Sequence, residues 1–582
     1  MTPAPLPQPV PPPNAERDGV EEGKRLIRVA GATGLSLAER LSERLNRLTW
    51  RTPLHALRLR GRYPLKLIAV PDDPIPGDVR RGRALLDWQV SFAGETRDIG
   101  ELNWAKPDWD PRFGDHLHGF GWLRDLSTVA TRADGAPIAE ALTGAWLMRH
   151  GDTVDGAWRP DLWGRRILAW TAHAPLILSS TDLVYRSKVL NTLARGARHL
   201  ERGADKVPAG VPRIAAWCGV VTAGLLIPGG DPRLRLGEAG LGRALASGMS
   251  ADGGIVSRSP AALLELVELL ACVRGAYAAR RMDWPDAVQQ ALARAVPALL
   301  ATVAADRGLG SWQGGAPVSA ERVAAAIAAS EIRARPLRQS RDWGYQRLVA
   351  GSAVLVMDAA PPPVGRATGA GCASTLAFEL SDGAVRLVVN CGGAHAAVVQ
   401  LPRAIADGLR SSAAHSTLVV ADTNSTATHP DGTLGRGVAE VELARQESDT
   451  GSRIEASHDG YLRRFGFRHR RQLMLGAEGR ELRGEDALLP DRRRRIAATG
   501  FAVRFHLGPG VEAASTADGQ GAILRGGGGM LWQFRCRGAA VAIEESLWID
   551  GAGRPVATQQ IVATGEAAAG GTSISWAFKR AA

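Results

Sequence analysis

Cysteine, tyrosine and long apolar runs are what this chain has little of. Its five cysteines (Cys218, Cys272, Cys372, Cys391 and Cys536) are odd in number and widely scattered, which argues against a disulfide framework. No two of them form a C-x-x-C pair, so a zinc ribbon is excluded. No stretch reaches the roughly 18 consecutive apolar residues that a membrane-spanning helix needs. No basic segment followed by an apolar core opens the chain, so no secretory signal is visible. Only five tyrosines occur (Tyr63, Tyr185, Tyr277, Tyr345 and Tyr461), which leaves few phenols for proton transfer.

What is present is a large basic globular chain. Its 582 residues suffice for roughly three to four average domains or two large ones. Apolar residues make up 45% and charged residues 22%, ordinary values for a folded protein. The net charge of +12 favours an anionic partner: acidic polysaccharide, nucleic acid or an anionic membrane surface. The basic residues are interspersed with acids and no nucleic-acid reader motif appears, which argues against nucleic acid.

Residues 1–34 read as a disordered, Pro-rich terminus. Residues 35–100 read as a helical and linker region. Within it, Leu37, Leu41, Leu45 and Leu48 make one apolar stripe over 35–49, flanked by Arg40, Arg44 and Arg47. Such a helix docks on the next domain or lies on a membrane. From 101 to 340 the pattern is helical, with candidates at 136–149, 162–175, 186–202, 213–226, 260–280, 285–304 and 319–330 separated by Gly, Pro and Asp breaks. No strict internal period is visible, so these helical hairpins suit a toroid better than a regular solenoid. From 341 to 582 short apolar runs bounded by turn residues recur, as in 347–358, 385–390, 472–475, 501–506 and 544–549, the texture of an antiparallel β-sandwich.

Several stretches carry polar chemistry. Arg410-Ser-Ser-Ala-Ala-His415 runs into the strand-like Thr-Leu-Val-Val segment, a position from which an imidazole can face a cleft. Upstream lie Gly371-Cys-Ala-Ser-Thr-Leu-Ala-Phe-Glu-Leu380 and Arg386-Leu-Val-Val-Asn-Cys-Gly-Gly393. Downstream lie Ser457-His-Asp-Gly-Tyr-Leu-Arg-Arg464 and Arg468-His-Arg-Arg471. Asp459-Gly460 is a tight-turn pair, so His458, Tyr461, Arg464, His469 and Arg471 can gather at one sheet edge. The order of these segments resembles the C-terminal β-domain of the heparinase II/III polysaccharide lyases. Phe113-Gly-Asp-His-Leu-His-Gly-Phe-Gly-Trp-Leu123 and the Trp158–Trp170 segment resemble helices of that family's toroid. The resemblance implies a multidomain α and β chain: an N-terminal (α/α) helical toroid followed by an antiparallel β-sandwich.

It also implies a chemistry. The family breaks uronate polysaccharides by β-elimination, which needs a neutralised carboxylate, a base for the C5 proton and an acid for the leaving oxygen. Two of the family's helical positions fail to match. Its Asn falls on Val211, and its Tyr, after the matching Gly253, Gly254, Arg258 and Pro260, falls on Ala261 or Ala262. Cys372, Asn390 and His415 stand where the family places a metal-binding His, Asp and His. Cys and His suit zinc and neutral Asn does not, so no cofactor is expected and zinc is the one metal to consider.

The resemblance therefore implies a carbon–oxygen lyase of the cell envelope or periplasm acting on a heparan-sulfate-like acidic polysaccharide. Cytoplasmic residence is the alternative where no signal is visible. His415, Tyr461 and His458 are the candidate catalytic residues; His118, Trp163, Arg258, Arg464 and Arg471 are the candidate substrate-binding ones. The replacements leave a second reading open: a catalytically degenerate glycan-binding or envelope protein on the same scaffold. Oligomeric state is not legible.

Overall fold

A computed structural model describes residues 23–28, 59, 66–363, 370–394, 397, 399, 401–430, 432–491 and 496–581. The stripe at 35–49 and the arginines of 492–495 lie outside the described residues.

Twelve described helices precede residue 331. They are α1 (Val79–Leu86), α2 (Pro111–Gly119), α3 (Trp122–Val129), α4 (Arg132–His150), α5 (Pro160–Ala172), α6 (Ala174–Ile177), α7 (Leu183–Gly203), α8 (Val211–Leu226), α9 (Asp231–Gly248), α10 (Pro260–Ala279), α11 (Asp286–Ala301) and α12 (Ala320–Ser330). A short hairpin, β2 (Gln89–Phe92) and β3 (Glu95–Asp98), follows α1. Helix starts obey ordinary capping chemistry. The Ser259 side chain accepts from the Ala262 amide ahead of Pro260, and Asp182 accepts from the amides of Val184 and Tyr185. Helix α8 is apolar on all sides and buried almost throughout, and it packs against α5, α7, α9 and α10. It forms the middle of the helical half. Helix α9 lies outside the segments that the sequence pattern marks as helical. Its Leu234, Leu241 and Leu245 face inward, but Gly237 and Gly240, which let Val221 and Trp217 of α8 approach, thin out the periodic signal.

The remaining strands form two antiparallel sheets. One runs β1 (Gly23–Arg28), β9 (Glu440–Ser448), β10 (Gly451–His458), β11 (Phe467–Gly476), β12 (Glu481–Pro490), β19 (Thr572–Arg580), β16 (Leu531–Arg537), β15 (Gly521–Arg525) and β14 (Glu512–Ser515). The other runs β17 (Ala540–Ile549), β18 (Pro555–Ala567), β13 (Thr499–Leu507), β7 (Val385–Val389), β6 (Phe378–Asp382), β5 (Ala353–Asp358) and β4 (Tyr345–Ala350), with β8 (Leu418–Val420) added on β13. Their facing sides enclose a core that includes Phe378, Leu473, Phe505, Trp532 and Trp576. Residues 23–28 depart from the expected disorder: they form an edge strand paired with β9, Ile27 opposite Val441, because Ile27 reaches the sandwich core.

The second sheet also faces the helices. All six residues of β5 are buried; Val354 and Val356 join the helical core, while Leu355 and Met357 point into the sandwich. Arg258, expected to bind substrate, is instead a buried strut across this junction. Its guanidinium donates to Asp358 Oδ1 at 2.5 Å and to the carbonyls of Trp343, Ala360 and Pro361. Among the described residues, no helix is long and apolar enough to cross a membrane.

Candidate functional site

Helix α5 shows how the site is made. Arg159, Leu162, Arg165 and Ala169 recur at three- and four-residue spacing and line a cavity of about 770 Å³. Trp163, Arg166 and Trp170 occupy the opposite face, inside the helical core. Helix α10 contributes Glu265, Glu268, Leu269 and Cys272 by the same periodicity. The β17–β18 turn, Gly551 to Gly553, reaches over from the sandwich, so the cavity is a cleft between the two halves. Arg112 reinforces that closure by donating to the carbonyl of Ala397.

The lining is polar and evenly charged. It holds six arginines (Arg81, Arg112, Arg124, Arg159, Arg165, Arg322) and six carboxylates (Asp72, Asp73, Asp115, Asp161, Glu265, Glu268). Each of these guanidiniums already has a carboxylate. Arg81 meets Asp125 at 2.7 Å, Arg112 meets Asp110 at 2.9 Å and Arg124 meets Asp73 at 2.8 Å. Arg159 bridges Asp115 at 2.9 Å and Asp161 at 2.7 Å. Arg165 meets Glu265 at 2.5 Å, and Arg322 meets Glu268 at 2.8 Å.

Among the described residues, two imidazoles line the cleft and no tyrosine does. His116 stacks on Phe92 with ring centroids 4.0 Å apart. Burial, aided by the nearby Arg81 charge, pushes its pKa down to about 3, so it stays neutral. His173 Nε2 lies 3.2 Å from Asp73 Oδ2. Despite burial, hydrogen bonding from His173 and the Arg124 guanidinium hold Asp73 well below the usual carboxylate range. Burial pushes the Cys272 thiol up, away from thiolate character.

Most of the residues singled out from sequence lie elsewhere. Tyr461 is fully buried and its hydroxyl donates to the carbonyl of Leu418 at 2.9 Å. His458 is fully buried; its Nδ1 accepts from the Gly460 amide and its Nε2 lies 3.2 Å from His469 Nδ1. His469 in turn contacts Asp486 at 2.7 Å, and Asp486 holds the buried Arg471 through both carboxylate oxygens. His458, Tyr461 and Arg471 are thus brought together, but inside the sandwich, where no substrate reaches. His415 is 2% exposed; its Nδ1 sits 2.7 Å from the Ser411 carbonyl, and burial lowers its pKa.

On the helical side, Trp163 is 0% exposed and packs against Gly196 and Trp158. His118 accepts from the Trp146 indole at 3.1 Å. It points away from the cleft that His116, two residues earlier, lines. Arg464 alone of the substrate-binding set is exposed, and its guanidinium lies over Phe465. The residues that sequence reasoning missed are the cleft's arginine–carboxylate pairs. Only Arg159 and Arg165 carried a readable signal, through their spacing in α5.

The metal donors are likewise committed. Asn390 Nδ2 donates to Glu379 at 3.1 Å and its Oδ1 accepts from the Ser416 amide. Cys372 keeps a protonated thiol, its pKa pushed up to about 12 by burial, 3.3 Å from the Ala370 carbonyl. Cys372, Asn390 and His415 therefore do not fit a zinc site. Among the described residues, no group of three or more His, Cys, Asp or Glu side chains is placed to hold a metal.

Comparison with known proteins agrees with the architecture. Residues 332–577 match the model of the heparinase II/III-like C-terminal domain. FtsZ-localized protein C of Caulobacter vibrioides is 31% identical over 529 residues, covering 85% of this chain and 87% of that protein. The crystal structure of heparinase III superposes with a TM-score of 0.67 at 12% identity, over 94% of this chain and 93% of the other. A heparan sulfate lyase HepC mutant from Pedobacter heparinus gives 0.61 at 14% identity, over 88% and 86%. With the helical half, the stacked antiparallel sheets and the cleft between them in place, the chain belongs to the heparinase II/III-like family.

Proposed function

We propose that this protein binds a glycan in the cleft between its two halves and does not cleave it by β-elimination. One observation carries the reading: among the described residues, every arginine lining the cleft is already paired with a carboxylate. β-Elimination needs a donor free to neutralise the substrate carboxylate, an uncommitted cation or amide, so that the adjacent carbon acid can ionise. It also needs an acid for the leaving oxygen, and no tyrosine among the described residues lines the cleft. What remains is an array of donors and acceptors of equal charge, suited to the hydroxyl groups of a sugar. That parity favours a glycan of low net charge over the strongly acidic polysaccharide that the +12 chain charge suggests.

The test is a panel of heparan sulfate, heparin, alginate, chondroitin, hyaluronan and uncharged glycans, scored for binding and for the ultraviolet absorbance of unsaturated product. Binding without product is expected, unaffected by chelator. It should weaken about tenfold in Arg165→Ala and in Glu268→Gln, the loss of one charge-assisted hydrogen bond each. The lyase reading has one observation in its favour, the His173–Asp73 pair in the cleft. Unsaturated product from the wild type, abolished in His173→Ala, would establish that reading instead.

The relative named for localisation with FtsZ supports a place of action shared with FtsZ. A fluorescent fusion that fails to co-localise with FtsZ would remove this part of the proposal, without bearing on the glycan.

A further inference from the structure

A second cavity, of about 430 Å³, lies at the seam between the helices and the sandwich, away from the cleft. It is lined by five arginines (Arg25, Arg294, Arg333, Arg335 and Arg341) against two aspartates, Asp252 and Asp342. Both aspartates are engaged. Asp252 accepts from the Ser250 hydroxyl through Oδ1 and from the amides of Asp342 and Trp343 through Oδ2. Asp342 pairs with Arg25 at 3.1 Å.

Arg294, Arg333 and Arg335 break the rule seen in the cleft. Arg294, on α11, has its Nε buried without a hydrogen-bond acceptor. Arg333 and Arg335 are exposed and occupy alternate positions of the irregular connection that leads from α12 to β4. Neither makes an ion pair within the described residues. That connection is held against α11, where the Leu337 amide donates to the Pro297 carbonyl at 3.1 Å. Pro297 and Leu337 give the cavity an apolar wall beside the charges.

We propose that this seam cavity binds a phosphorylated small molecule, its phosphates on Arg294, Arg333 and Arg335 and its organic part against Pro297 and Leu337. Three guanidiniums offer more forked donors than a single carboxylate can accept, and the oxygens of linked phosphates can take several at once. The volume suits a ligand of nucleotide size. The proposal is independent of what the cleft binds.

Calorimetric titration of the full chain tests it, with inorganic pyrophosphate, ADP and a hexaglutamate peptide as probes. ADP is expected to bind at least as tightly as pyrophosphate, and both more weakly as salt rises. Arg294→Gln and the double variant Arg333→Gln/Arg335→Gln should each lower affinity about tenfold or more. Arg333 and Arg335 are exposed and make no ion pair among the described residues, so the double variant tests the site even if Arg294→Gln fails to fold. Absence of binding by pyrophosphate and ADP at millimolar concentration overturns the proposal, as does binding that survives the double variant unchanged. Tighter binding of hexaglutamate than of pyrophosphate also overturns it, in favour of an acidic peptide.

Discussion

At the residue scale, the sandwich keeps the densest polar cluster of the chain out of reach. Strand β11 alternates strictly: Phe467, His469, Arg471, Leu473 and Leu475 are buried, and the residues between them are half-exposed. His469 and Arg471 share the inward face with Phe and Leu, so the alternation itself marks them as core groups needing partners. Asp486, across the ladder from Arg471, satisfies both. Composition along the chain shows the cluster but not its depth; depth comes from the packing of this meander against distant segments, as where Arg471 donates to the carbonyls of Leu376 and Ser416. Asp486→Asn removes the countercharge of a fully buried guanidinium. It is expected to destabilise the protein by roughly 3–5 kcal/mol, read from the denaturant midpoint, because the stranded charge has no route to water. An unchanged midpoint would show that Arg471 finds another partner. Asn390 and Cys372 teach the same lesson. Their place in the motif order is legible, whereas the Glu379 and Ser416 contacts that occupy Asn390 appear only once β6 and β7 are paired.

At the element scale, helices are legible where a long apolar run is bounded by Gly, Pro or Ser, and α8 and α10 are the clearest cases. What periodicity cannot supply is which face meets which neighbour. Helix α5 carries two arginine-bearing stripes of similar spacing; one becomes cleft and the other, with its tryptophans, becomes core, and the choice is made by contact with α8. That contact depends on Gly164. A Cβ there would lie 2.0 Å from the carbonyl oxygen of Ala215, and the opposing Gly219 abuts the Gly164 backbone. Backbone cannot yield as a flexible side chain does, so Gly164→Ala must push α5 from α8. A loss of about 2–3 kcal/mol is expected by thermal or denaturant unfolding, together with weaker glycan binding as Arg159 and Arg165 move. Gly242, in α9, has nothing within 4 Å of its would-be Cβ. Gly242→Ala should therefore stabilise by about 0.4–1 kcal/mol, the ordinary effect of restricting the unfolded chain. If both variants behave alike, close approach at Gly164 is not what sets the helix spacing.

At the scale of the whole molecule, the two halves share a response to acid. His116 and His118 lie in the helical half and His506 in the sandwich, and burial pushes each of their pKa values down to about 3. His415 and His469 are shifted in the same direction. In the unfolded chain an imidazole titrates near 6.5. Above that pH neither state binds the proton and the burial costs nothing. Below it the unfolded chain takes up protons that the folded chain refuses, so stability falls with falling pH until the folded pKa is reached. Each such imidazole contributes a slope of about 1.4 kcal/mol per pH unit. The depressed carboxylates Asp73 and Asp486 act in a separate window, because their contribution is lost only as pH drops below about 4. The urea midpoint should thus be flat above pH 7 and fall steeply between about 6.5 and 5, well before carboxylate titration begins. Since Arg258 and the β5 residues join both cores, the two halves should unfold in one transition over that range. His506→Asn should lessen the slope by about one proton. A midpoint that holds steady down to pH 5 would mean that these imidazoles reach water, and with it the packing of both cores around them would have to be redrawn.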